Sequence, residues 1–201
     1  IHLNFLSKNP EILEAFYKEL SEAVWKHDEA IILITGDIAE SHNVVHYIKE
    51  MEERTGRPVH FVLGNHDFYG SNVLKVKQSV KHLHYLPKNM GTPLSDDTIL
   101  IGVDGWGDCR NGDYENSRLT MSDWLYIDDL RKEYGKGMAK LKVQLMKLAD
   151  ADARKLERRV NSAINKGFKK IIIATHVPPF EEVCLNAGRK STPSGLPFFS
   201  S

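Results

Sequence analysis

The sequence predicts an α/β domain built as two layers of β-sheet flanked by helices. Three short apolar runs carry that prediction: Ile-Ile-Leu-Ile-Thr at 31–35, Pro-Val-His-Phe-Val-Leu at 58–63, and Ile-Ile-Ile-Ala-Thr at 171–175. Each is rich in β-branched or aromatic residues and stops abruptly at polar ones, as buried parallel strands do. Stretches of helical periodicity separate them, giving βαβ units. A fourth run, at 98–103, follows an Asp96-Asp97 turn signal and suits a strand of the second layer.

The elements follow in order. Residues 1–5 read as the end of an edge strand. Asn9-Pro10 supplies a cap and a proline at the first helical position, and Ile12, Phe16, Leu20 and Val24 recur every fourth residue, so a helix is expected over 10–27. Ser41 is the expected cap of a helix carrying Val44, Val45, Ile48 and Met51, and Ser71 of one carrying Val73, Val76, Val80 and Leu83. The Gly-, Asp- and Asn-rich segment 104–122 reads as a long loop, with Trp106, Asn111 and Tyr114 as candidates for a lid over a site. A short helical stretch at 123–134 and a long one at 138–166 follow, the latter with Leu141, Leu145, Leu148, Leu156, Val160 and Ile164 facing inward. Beyond Cys184 only loop composition is apparent.

Bulk properties exclude several classes. At 201 residues the chain suffices for one well-buried core, and no linker divides it. Lys plus Arg equals Asp plus Glu at 27 each, so no global field draws in polyanions, and nucleic acid is not the expected partner. No apolar run approaches the ~20 residues needed to cross a bilayer. Cys109 and Cys184 are far apart and lack metal-ligand spacing, which suits a reducing cytosol, so the expected location is cytoplasmic.

Chemistry is expected where the strands end. In an open α/β sheet, ligands gather beyond the carboxyl ends of the strands. Here Gly36-Asp37, Gly64-Asn65-His66-Asp67 and Thr175-His176 stand at those ends, so a carboxylate, an amide and imidazoles should meet in one place. The remaining histidines, at 27, 42, 46, 60, 82 and 84, lie in helices, mid-strand or near helix ends and read as surface or packing residues.

This ordered set resembles the calcineurin-like metallophosphoesterase family. The family pattern runs Asp-x-His, Gly-Asp-x-x-Asp/Glu, Gly-Asn-His-Asp/Glu, a lone His after a strand, and Gly-His-x-His. Gly36-Asp37-Ile38-Ala39-Glu40 fits the second element, Gly64-Asn65-His66-Asp67 the third and Thr175-His176 the fourth. His2 fits the first if an Asp precedes Ile1, and no Gly-His-x-His occurs before Ser201, so the chain is expected to be a single domain trimmed at both ends. The Glu40-Ser41 ending and Asp67 depart from the protein Ser/Thr phosphatase branch, whose pattern is Gly-Asp-x-Val-Asp-Arg-Gly and Gly-Asn-His-Glu, and resemble a stand-alone phosphohydrolase.

The resemblance implies two divalent cations about 3.5–4 Å apart, drawn from Mn, Fe or Zn, that activate a bridging hydroxide against a phosphomonoester or phosphodiester. It makes Asp37 the bridging ligand, His2 a ligand of the first cation, and Asn65 and His176 ligands of the second. His66 matches the family's general acid, with Asp67 holding its ring. The partner implied is a small phosphorylated substrate; the oligomeric state is open. The competing expectations are a non-catalytic metal-binding scaffold of the same fold and a nuclease of the same family.

Overall fold

The computed structural model describes residues 1–186 and 188–200. Its elements run α1 (Leu3–Leu6), α2 (Pro10–Trp25), β1 (Ile32–Thr35), α3 (Val44–Thr55), β2 (Val59–Val62), α4 (Val73–Val80), β3 (Thr92–Pro93), β4 (Thr98–Gly102), α5 (Asp123–Tyr126), α6 (Asp128–Tyr134), α7 (Met138–Asn165), β5 (Lys170–Ala174), β6 (Leu185–Asn186), β7 (Arg189–Lys190) and α8 (Leu196–Phe199).

Two sheets carry the fold. In the first, β1 and β2 pair in parallel, from Ile32 opposite Val59 to Thr35 opposite Val62. In the second the order is β3-β4-β5, with β4 parallel to β5 and β3 antiparallel at the edge. Val62, Leu86, Leu100 and Ala174 form the cluster where the sheets meet. Gly102 is required there, because a Cβ would come within 2.8 Å of the Val62 side chain. Both sheets therefore deliver their carboxyl ends to one rim.

Helices cover the outer faces. Ile48 and Met51 of α3, Tyr17 of α2 and Phe61 of β2 belong to the main core, while Ala163 of α7 packs on Ile99 and Ile101 of β4. No helix among the described residues is long and apolar enough to cross a membrane.

Several expectations need correction. Residues 1–5 form no strand: His2 adopts a left-handed conformation at φ 54° and α1 starts at Leu3. The amides of His2 and Leu3 nonetheless donate to the carbonyls of Asp37 and Ile38, both at 2.7 Å, which ties this segment to the β1 exit loop. The caps are asparagines. Asn72 accepts from the Lys75 amide and Asn43 stands at the start of α3, while the Ser41 amide is bonded to the Tyr69 carbonyl. The extended Asn72 aims its side-chain carbonyl at the third helical amide, and Ser71 lies one residue too early to do so.

Strands β1 and β5 are half-exposed rather than fully buried: Leu33, Ile172 and Ile173 all face outward. Each strand stands at a sheet edge with one hydrogen-bonded neighbour. Trp106 and Tyr114 form no lid. Both are core residues, packed against Phe68 and Phe198, and Asn111 donates to the Ser200 hydroxyl. Ile164 faces solvent, its expected place on α7 being taken by Ala163. The tail beyond Cys184 contains the β6–β7 hairpin and α8.

Candidate metal centre

The exits of β1 and β2 lie against one another so closely that neither tolerates a side chain at its glycine. Gly36 has φ +95°, and a Cβ there would approach the Gly64 amide and His176 Nδ1 at 2.6 Å. A Cβ on Gly64 would overlap the Asp37 carboxylate. Asp37 itself is left-handed, at φ 52°, a conformation costly for a residue with a side chain and common where function fixes the backbone. The sharp exits bring Asp37, Asn65 and His66 onto the same rim as His176.

The geometry brings His2, Asp37, Asn65, His66 and His176 together. Asp37 Oδ2 lies 3.5 Å from His2 Nε2, and its Oδ1 lies 3.5 Å from His176 Nε2 and accepts the His66 amide at 3.1 Å. Donor atoms of His2, Asp37 and His66 all fall within 4.8 Å of one another. The His2 and His66 rings meet edge-on at 4.6 Å, and His66 stacks on Tyr69 at 4.4 Å. Burial lowers the His2 pKa more than the Asp37 charge raises it, and His66 acts in the same direction as burial, so the ring presents a neutral nitrogen.

At the other imidazole, hydrogen bonds fix which atoms face inward. His176 Nδ1 donates to the Thr35 carbonyl at 2.8 Å, which points Nε2 toward the site. The Asn65 amide nitrogen donates to Asp123 Oδ1 at 2.8 Å, which turns the amide oxygen inward, 3.0 Å from His176 Nε2. Tyr69 donates to that same Asp123 oxygen at 2.6 Å. Burial and then the Asp123 charge hold the Tyr69 phenol well above its ordinary range, so it remains a donor. Asp37 Oδ1, Asn65 Oδ1 and His176 Nε2 therefore converge.

Asp67 departs from its expected duty of holding the His66 ring. Fully buried, it accepts the amides of Ile38 and Ala39 on one oxygen, at 2.9 and 2.8 Å, and that of Gly64 on the other at 2.8 Å. Burial pushes its carboxyl up to about 7 against the pull of those amides. It links the two exit loops, while the His66 ring is positioned by Tyr69.

Residue patterns gave no warning of Asp123, which opens α5, nor of most of the buried set beneath the rim. Asp104 accepts the Leu63 amide at 2.8 Å and the Tyr85 hydroxyl at 2.6 Å, and pairs with Lys77 at 2.8 Å. Asp152 accepts the Gly105 amide at 3.3 Å, and Arg159 donates to the Gly102 carbonyl at 2.8 Å. Burial lowers the Lys77 pKa, but Asp104 and Asp152 outweigh it and hold the ammonium above its usual value. Asp104 could have been found, since it ends an apolar run as Asp37 does.

The calcineurin-like phosphoesterase family model matches residues 1–195. The chain belongs to that family. No curated protein and no solved structure matches it. As a calcineurin-like phosphoesterase it is of a kind that depends on divalent metal, and the donor set fits such ions. Two ligands of one cation at about 2.1 Å stand roughly 3.0–3.4 Å apart in octahedral or tetrahedral geometry. The separations of 3.0 and 3.5 Å around Asp37, Asn65 and His176 are close to that spacing. Among the described residues, Nδ1 of both His2 and His66 is buried without a hydrogen-bond partner, so further nitrogen donors remain uncommitted near Asp37.

Proposed function

We propose that this phosphoesterase is a hydrolase of small phosphomonoesters or phosphodiesters. In this reading His2, Asp37, Asn65 and His176 hold two divalent cations and His66 acts on the leaving group. The observation that carries it is the convergence of Asp37 Oδ1, Asn65 Oδ1 and His176 Nε2, each turned inward by a hydrogen bond made elsewhere or by its own charge. With the Nδ1 proton committed to Thr35, a neutral His176 sets an Nε2 lone pair beside two oxygens, an arrangement that a divalent cation stabilises. The mixed nitrogen and oxygen set without thiolate favours Mn, Fe or Zn.

When bound, such cations neutralise phosphoryl charge and bring the pKa of a water toward neutrality. The chain's own residues supply the rest. Asp37 places one carboxylate oxygen toward His2 and the other toward His176, so one anion serves both halves of the site. Tyr69 stacks on His66 and limits its ring to one plane. The protonated His66 imidazole then donates to the departing oxygen.

For His66→Ala, the loss on an alkyl phosphoester should be about 10²–10⁴-fold, and much smaller on a nitrophenyl ester, whose leaving group needs no proton. Steady-state rates on the two substrates with Mn present provide the check. Equal losses on both would remove the acid role. They would favour His66 as a further ligand beside His2 and Asp37, a second reading supported by the proximity of those three donors.

The departures from the protein Ser/Thr phosphatase pattern at Glu40 and Asp67 support a small-molecule substrate. Balanced charge argues against a nuclease, and a steep salt dependence of DNA binding would reverse that. Hydrolysis of mono- and bis-nitrophenyl phosphate, with and without Mn, separates an enzyme from a metal-binding scaffold.

A further inference from the structure

A cavity of about 370 Å³ opens beside the converging acceptors, with Asn65 and His176 in its wall. Its size falls within the ~300–1,000 Å³ typical of small-molecule sites. Trp106, Trp124 and Met121 contribute to an otherwise mainly apolar lining. Both indoles are buried and held by aromatic neighbours, Trp106 by Phe68 at 5.2 Å and Trp124 edge-on by Phe198, itself part of the cavity wall, at 5.2 Å. The walls are thus formed in advance of any ligand, which spares the cost of ordering them on binding.

The charge of the wall is as informative as its shape. Among the described residues no lysine or arginine lines the cavity, and its one carboxylate is Asp123. Asp123 Oδ1 is occupied by Asn65 and Tyr69, whereas Oδ2 accepts no hydrogen bond among the described residues. A second phosphate or a carboxylate would meet an unpaired negative charge there. A flat, uncharged ring would meet a mainly apolar wall backed by two indoles, with an acceptor at one edge.

We propose that this cavity is the subsite for the organic group of the ester, and that it takes an aromatic ring free of further negative charge. Asp123 Oδ2 accepts a hydrogen bond from any donor on that ring. The proposal rests on the phosphoesterase reading above, because only a phosphoryl group held at Asn65 and His176 directs the rest of the ester into the cavity. It selects among phosphoesters: aryl and arylmethyl esters are favoured, polyol phosphates and bisphosphates are not.

Calorimetric titration of the Mn-loaded protein with three unreactive phosphonates tests it. Benzylphosphonate should bind about tenfold more tightly than methylphosphonate through the buried ring. Adding a carboxylate, as in 4-carboxybenzylphosphonate, should cancel that gain. Met121→Trp, which fills the cavity from a half-buried position, should remove the benzyl advantage and leave methylphosphonate binding as it was. Equal affinity of the wild-type protein for the benzyl and methyl compounds overturns the proposal, as does undiminished binding of the carboxybenzyl compound. The wild-type comparisons stand even if Met121→Trp fails to fold. Should no phosphonate bind, the phosphoesterase reading fails on its own, and benzyl alcohol decides the cavity: binding supports a ring site, and none overturns it.

Discussion

Asp67 touches nothing that reacts, yet the site depends on it. By accepting amides from Ile38, Ala39 and Gly64 it ties the loop bearing Asp37 to the loop bearing Asn65. Asp67→Asn sets an amide NH2 against a backbone N–H. The expected cost is about 1–3 kcal/mol of stability, read as a lower urea midpoint, and an unchanged midpoint would show the tie to be dispensable. Asp123→Ala frees the Asn65 amide to rotate its nitrogen inward. Mn affinity should fall by about 10–100-fold, as when a residue behind a metal ligand is lost, and calorimetry measures it. Asp37, Asn65 and His176 were readable because each follows an apolar run that ends in a turn. The partners of Asp67 are not legible in the sequence, because residue types do not reveal backbone amides as partners. Asp123 stands 58 residues from the amide it orients, and no local pattern marks it.

At the scale of elements, the strands were readable because apolar runs broken by glycine leave few alternatives, and α7 because its leucines keep helical spacing. What escaped were features decided by tertiary contact. Residues 1–5 carry an apolar pattern too short to separate strand from helix, and the amides of His2 and Leu3 are satisfied by the β1 exit loop instead of a strand partner. The helix α7 also carries Asp152 and Arg159, whose side chains point inward to bond β4 and the chain just after it, though a charged residue on a helix is ordinarily read as solvated. The same polar layer involves α4 through Lys77. Lys77→Met would leave Asp104 buried without its cation, and should destabilise the fold by about 3–5 kcal/mol. Denaturant unfolding provides the measurement, and a loss below 1 kcal/mol would mean that Tyr85 and the Leu63 amide suffice.

For the whole molecule, the residues proposed to bind metal come from positions 2 to 176 and from both sheets, so binding should stabilise the entire fold and not one loop. At a hundredfold excess over its dissociation constant, a cation that binds only the folded chain adds about 2.7 kcal/mol. For a chain of this size that corresponds to about 5–10 °C in melting temperature. Mn should raise the midpoint by that amount in a calorimetric scan and a chelator should reverse it; a midpoint indifferent to both would deny the centre. The layered architecture and shared rim followed from the sequence because parallel strands must cross over and return, which aligns their ends. The placement of the cavity did not, since it depends on Trp106 and Trp124 packing against partners distant in the chain.

The mutual contact of Gly36 and Gly64 has a practical corollary for anyone who wishes to redirect this protein. With no room for even a methyl group between the two turns, a mutagenesis library at either position should return only the parent codon, and the reacting centre is closed to tinkering. The far wall around Met121 carries no such restriction. Selection for new substrates should accumulate its changes there, leaving the chemistry inherited and the choice of molecule open to revision.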